Sequence, residues 1–190
     1  MDTFAHIRIL IGMVMSLSIA LMLKGTVKMV QHPGRDKPYW MHLLWALYVF
    51  LLLIHFWWWE FTFHNFSKWT FALYAFLICY IIVFYVMSAL LFPDDLRDYT
   101  GYENYFYSRK KWFFLVLGFS FVMDIIDTSL KGKEYAGHLG IEYPMRNILH
   151  LILCIIAIRV SNKKFHAALV LFFLLYEISF ILRAYYSQYA

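Results

Sequence analysis

From Tyr39 to Trp59 the chain carries no Asp, Glu, Lys or Arg. At about 1.5 Å per residue, a helix of that length crosses the hydrocarbon layer of a bilayer. The run ends in Trp57, Trp58 and Trp59, followed at once by Glu60. Tryptophan concentrates at membrane–water interfaces, so the triplet marks where the helix leaves the lipid. Glu60 and the nearby His55 are not explained by anchoring alone.

The rest of the chain repeats this pattern. It is 63% hydrophobic and only 15% charged, against roughly 25% charged in soluble domains. A soluble fold could not hide that much apolar surface. The apolar runs are long and continuous, whereas a transmembrane β-barrel shows short alternating segments. The expectation is an all-α, single-domain integral membrane bundle of six transmembrane helices. The spans fall at about residues 4–30, 38–59, 69–92, 112–130, 143–158 and 165–185. Turn signals such as His32-Pro33-Gly34 and Phe92-Pro93-Asp94-Asp95 separate them. The longest connection, Pro93 to Lys111, mixes acids with Tyr99, Tyr102, Tyr105, Phe106 and Tyr107. It reads as a segment lying on the headgroups.

The net charge is +5, and the charges sit between the runs. Lys24, Lys28, Arg35, Lys37, Arg97, Arg109, Lys110, Lys111, Arg159, Lys163 and Lys164 fall on one side, eleven in all. Arg8, Lys68, Lys131, Lys133, Arg146 and Arg183 make six on the other. Cytoplasmic connections are enriched in Lys and Arg, so both termini are expected outside. No stretch presents a basic face with base-reading side chains, so nucleic acid is not an expected partner. The partners expected are the lipid bilayer and a second copy of the chain. Cys79 and Cys154 lie within apolar runs and form no CxxC pair, which argues against a redox dithiol.

Charged groups inside a bilayer are costly and face the bundle or water. Alternating spans place Arg8, His55, Glu60, Asp124, Asp127, His150, Glu177 and Arg183 in the same half of the membrane. Asp124 and Asp127 are three apart and share a helical face. Two such carboxylates repel unless a cation, a proton or an arginine intervenes. The set fits a channel, transporter or ligand sensor with a polar cavity for a proton or small cation. In that reading Asp124, Asp127 and Glu177 bind the ion, His55 and His150 tune or relay protons, and Glu60 belongs to the same ion-binding set, its plainer reading being a water-facing cap beside the tryptophans. Arg8 or Arg183 holds the carboxylates when the site is empty.

Other readings stay open. No HxxxH or ExxH spacing falls within a span, so no metal site is expected. No cofactor is expected either, haem between His42, His55 and His150 being the alternative. A membrane enzyme would need a nucleophile beside a base. Ser120, Thr128 and Ser129 lie near the aspartates in sequence, but without a GxSxG frame. An accessory subunit docking through its aromatic loop is a further class.

Several segments carry a resemblance: Arg8-Ile9-Leu10-Ile11-Gly12, Tyr39-Trp40-Met41-His42-Leu43-Leu44-Trp45, Trp57 to Glu60, Leu91-Phe92-Pro93-Asp94 and Tyr107 to Phe114. Together they resemble a group of small bacterial multi-pass inner-membrane proteins. The resemblance implies an inner-membrane location and brings no activity, cofactor or catalytic residue.

Overall fold

Backbone in lipid has no water to bond to, so each segment must satisfy its own N–H and C=O groups. The computed structural model describes residues 3–186, apart from 33, 35, 36, 67 and 68, and among them there are helices and no strands. The α-helices are α1 (Thr3–Gln31), α2 (Trp40–Trp59), α3 (Phe71–Leu91), α4 (Tyr102–Lys131), α5 (Lys133–His138), α6 (Glu142–Arg159) and α7 (Lys163–Tyr186). A short 3-10 helix, Glu60–Asn65, continues α2.

Side chains finish several helix ends. Thr70 accepts the Leu73 amide at 3.2 Å ahead of α3. Asn162 accepts the Lys164 and Phe165 amides at 2.8 and 3.2 Å ahead of α7. Both are N-caps that satisfy otherwise orphaned donors. Pro144 fits the first turn of α6, where no backbone bond is lost. Gly132, at φ 103°, stops α4 directly after Lys131 in a conformation that side chains disfavour.

Five helical segments are long and apolar enough to cross a membrane: Phe4–Gln31, Trp40–His64, Phe71–Leu91, Tyr102–Lys131 and Lys163–Ala184. The predicted span at 143–158 corresponds to α6, which is not among them. Its 18 residues include Glu142, Arg146 and Arg159. A second expectation is corrected at α4, which starts at Tyr102 rather than near 112. Much of the segment assigned to the headgroups is therefore helix, with Tyr102, Tyr105, Phe106 and Lys110 buried.

The α4–α6 and α6–α7 pairs run antiparallel, whereas α2 runs parallel to α7 and α1 parallel to α3. At one end of the α4–α6 pair, the Thr128 hydroxyl donates to the Tyr143 oxygen at 2.6 Å. At the other, Lys110 Nζ donates to the carbonyls of Ala157 (3.2 Å), Ile158 (3.1 Å) and Val160. So α6 runs beside most of α4, and Lys110 caps its C-terminus. In turn α7 runs back along α6, from His166 on the Val160 carbonyl (2.8 Å) to Arg183 on Glu142 (2.5 Å). It also packs on α2, while α1 packs on α3 and α3 on α4. Gly25 lets α1 approach Phe92 closely, since a Cβ there would lie 2.1 Å from Phe92 Cδ1.

An aromatic layer fills the middle. The Trp45 ring meets Phe113, Phe114 and Phe173 at centroid distances of 5.4, 5.3 and 5.4 Å. The outer surface carries exposed Ile9, Met13, Leu17, Ile152, Ile155 and Leu175, as a lipid-facing surface requires. Of the cations used to predict orientation, Arg35 and Lys68 lie outside the described residues. Lys110, Lys131 and Arg146 are buried partners within the bundle rather than loop charges.

Candidate functional site

The C-terminal ends of α2, α4 and α7 meet the N-terminal ends of α3 and α6 at one end of the bundle. Two buried charge clusters form there.

The first centres on Arg146 of α6. Its Nη2 lies 3.2 Å from Asp124 Oδ2 on α4, and its Nη1 lies 3.7 Å from Glu177 Oε2 on α7. Glu177 Oε1 is 2.6 Å from His55 Nδ1 on α2. Asn147 donates to Asp124 Oδ2 at 2.9 Å, and the Tyr143 hydroxyl donates to the Asp124 carbonyl at 2.8 Å. The guanidinium also lies 4.5 Å from the Phe180 ring centre, so it is held by both charge and an aromatic face. Glu177 is 2% exposed. At that depth a carboxylate survives only when paired and hydrogen-bonded.

The second centres on Lys131, the last residue of α4. Its ammonium contacts Glu60 Oε1 at 2.9 Å and Asp127 Oδ2 at 2.5 Å. The Phe63, Tyr135 and Trp59 rings surround it at 4.8, 5.6 and 5.8 Å. Glu60 Oε2 and Asp127 Oδ1 receive no hydrogen bond from the described residues.

Each predicted site residue can now be placed. Asp124 and Asp127 do not share one ligand. Asp124 turns to α6 and Asp127 to Lys131, so each has its own cation. His55 and Glu177 are joined directly. His150 is buried but turned away: its Nδ1 pairs with the Arg146 carbonyl at 2.7 Å, and its ring packs 4.3 Å from Phe173. The role expected of Arg8 or Arg183 belongs to Arg146 and Lys131. Arg183 instead clasps Glu142 at the exposed rim, where Tyr176 also donates to Glu142 at 2.8 Å. Those bonds, from Arg183 first and then Tyr176, pull the Glu142 carboxyl down to about 2. Arg8 is exposed, with its guanidinium 5.9 Å from the Phe4 ring.

The hydroxyls weighed as nucleophiles are committed elsewhere. Ser120 donates to the Leu117 carbonyl at 2.7 Å, Ser129 to the Ile125 carbonyl at 2.8 Å, and Thr128 to Tyr143. Among the described residues no three His, Cys, Asp or Glu side chains converge as a metal site would need.

Comparison with known proteins finds no matching family model, no matching curated relative and no matching solved structure. The chemistry must be read from the side chains themselves.

Two cavities touch the clusters. The first is lined by His55, Trp59, Tyr80, Ser120, Asp124 and Arg146, among others. It offers about 40 Å³ to the centres of water-sized molecules, room for roughly three waters at 10–15 Å³ each. Arg146 Nε finds no hydrogen-bond partner among the described residues. The second lies between α1, α2 and α3 and offers about 60 Å³. Arg8 and Glu60 both line it.

The charge count is uneven. Asp124 and Glu177 face one guanidinium, and Glu60 and Asp127 face one ammonium. Counted against Arg146 alone, Asp124 and Glu177 leave the first cluster one positive charge short, whereas in the second Glu60 and Asp127 also hydrogen-bond each other, so one shared proton balances it. Buried networks tolerate such a deficit poorly.

Proposed function

We propose that this is a six-helix integral membrane protein that takes up a proton at the His55–Glu177 pair and passes it along α2. It acts as a small proton channel or proton-coupled transporter. The observation that carries this reading is the one-charge deficit of the Arg146 cluster beside a water-sized cavity. A proton on the His55–Glu177 pair makes that cluster neutral, and carboxylate–imidazole pairs are efficient proton carriers.

A row of buried polar groups supports a route away from the pair. His42, Trp45 and Tyr48 follow one another at intervals of three along α2, and His55 lies seven residues beyond Tyr48. At 3.6 residues per turn, Tyr48 and His55 lie nearly in line, and Trp45 and His42 step successively round the helix from them. Both ring nitrogens of His42, Trp45 Nε1 and the Tyr48 hydroxyl lack a hydrogen-bond partner among the described residues. Buried polar atoms are normally paired, so these unpartnered groups are the ones α2 offers for the step beyond His55.

The pattern of α6 supports membrane crossing despite its charges. Met145, Ile148, Leu149, Ile152 and Ile155 are exposed, while Arg146, Asn147 and His150 are buried. That is an apolar stripe toward lipid and a polar stripe toward the bundle. A bacterial inner-membrane location accords with this reading.

The test is reconstitution into liposomes enclosing a pH-sensitive dye. An imposed pH step should collapse faster with the protein than without it. Equal rates in protein-bearing and empty liposomes would overturn the reading.

A further inference from the structure

The second cavity has walls of two kinds. Arg8, Trp57 and Phe61 are exposed and form its rim. Phe4, Ile7, Phe63 and Glu60 are buried and form its floor. Glu60 is 5% exposed, and its Oε2 receives no hydrogen bond from the described residues. Its other oxygen is held by Lys131, so the carboxylate cannot turn away without losing that contact. The site thus combines a buried proton acceptor among aromatic rings with a guanidinium at the mouth.

We infer that this cavity binds the headgroup of an aminoethyl phospholipid. The ammonium donates to the Glu60 carboxylate among the aromatic rings, and the phosphate meets Arg8 at the rim. The acyl chains lie along the exposed apolar surface beside Trp57 and Phe61. Aromatic faces attract ammonium groups, and arginine pairs with phosphate through its planar fork. At about 10–15 Å³ per water-sized centre, the cavity's 60 Å³ holds about four to six centres, which leaves room for an aminoethyl group of three heavy atoms. A trimethylammonium group is larger and has no N–H to give Glu60, so a choline headgroup should bind less well. Nothing in this assignment depends on proton movement, and lipid retention and proton flux are read separately.

The experiment is native mass spectrometry of the detergent-purified protein exposed to equal phosphatidylethanolamine and phosphatidylcholine. The wild type should retain one phosphatidylethanolamine with about tenfold preference, the scale of one charged hydrogen bond. Glu60→Gln should abolish the preference. Arg8→Ala, at an exposed position, should weaken retention of both lipids while leaving the preference, because both carry the phosphate. Trp57→Ala tests the aromatic wall without touching the Lys131 pairs, and should also reduce the preference. Equal retention of the two lipids by the wild type would overturn the assignment. So would an undiminished preference in both Glu60→Gln and Trp57→Ala. Displacement by an equal concentration of free phosphoethanolamine would move the source from lipid to soluble compound and overturn the lipid assignment.

Discussion

Arg146 Nη2 stands 3.2 Å from Asp124 Oδ2, so a buried arginine–carboxylate pair ties α6 to α4. The same guanidinium reaches Glu177 on α7, which makes it the electrostatic centre of three helices. Replacing it by Met strands two buried carboxylates. Removing one partner of a buried pair costs about 3–5 kcal/mol. Arg146→Met should therefore lower the apparent melting temperature in detergent sharply, and adding Asp124→Asn should restore part of the loss. An unchanged melting temperature in Arg146→Met would contradict the assignment.

Lys110 fastens the far end of α6. Its ammonium serves the last carbonyls of that helix, where no intrahelical donor remains. Lys110→Met keeps the length of the side chain and removes the donor. The unsatisfied carbonyls should cost about 1–3 kcal/mol. Amide hydrogen exchange should rise in residues 156–160 more than in the first turn of the same helix.

At Gly25, α1 lies close against Phe92. A methyl group there meets the Phe92 ring and its Cβ, at 2.1 to 2.8 Å. Phe92 is buried and cannot simply swing aside. Gly25→Ala should destabilise by about 1–3 kcal/mol through overpacking. Gly34→Ala, with open space around it, should leave the melting temperature unchanged.

At the rim, Glu142 gives a defined pH dependence. Its carboxyl is held down to about 2, below the ordinary value of 4.5, by Arg183 and Tyr176. A depressed carboxyl stabilises the folded state above the unfolded value, and the contribution is lost as pH falls through the folded one. The clasp between α6 and α7 should therefore hold at neutral pH and weaken between about pH 4.5 and 2. The effect is small, because the pair is exposed and screened. In Glu142→Gln this part of the acid dependence should disappear from the melting curve.

The helical layout was legible because uncharged runs have one stable form in lipid. Glu60, Asp124, Asp127, His55 and Glu177 stand out as costly polar groups in apolar surroundings. Their partners were harder to see. Lys131 reads as a loop cation, and Arg146 as a charge at the mouth of a short span. Both nonetheless carry a local signal. Lys131 lies four residues after Asp127, the spacing of an intrahelical pair. Arg146, Asn147 and His150 fall on one side of α6, opposite Met145, Ile148, Leu149 and Ile152. Sequence spacing alone could not reveal that Asp124 and Asp127 part company. Their separation depends on α6 and the 3-10 helix arriving from different directions.

The early start of α4 has a similar cause. Tyr102, Tyr105 and Phe106 look interfacial when taken one at a time. In the folded chain they pack inward: Tyr105 donates to the Leu90 carbonyl at 2.7 Å, and the Tyr102 ring lies tilted 4.6 Å from that of His42. Tertiary burial turned an aromatic, charged segment into the first turns of a helix.

The most direct test of the account compares proton flux into liposomes carrying equal amounts of folded wild type, Glu177→Gln and Tyr48→Phe. The first substitution removes the carboxylate bonded to His55, and the second removes the hydroxyl next along α2 without changing the ring. The account predicts rapid dissipation of an imposed pH gradient by the wild type, at least tenfold slower dissipation by Glu177→Gln, a general acid–base contribution being worth about 10²–10⁴, and an intermediate rate for Tyr48→Phe. Wild-type flux in Glu177→Gln would contradict it.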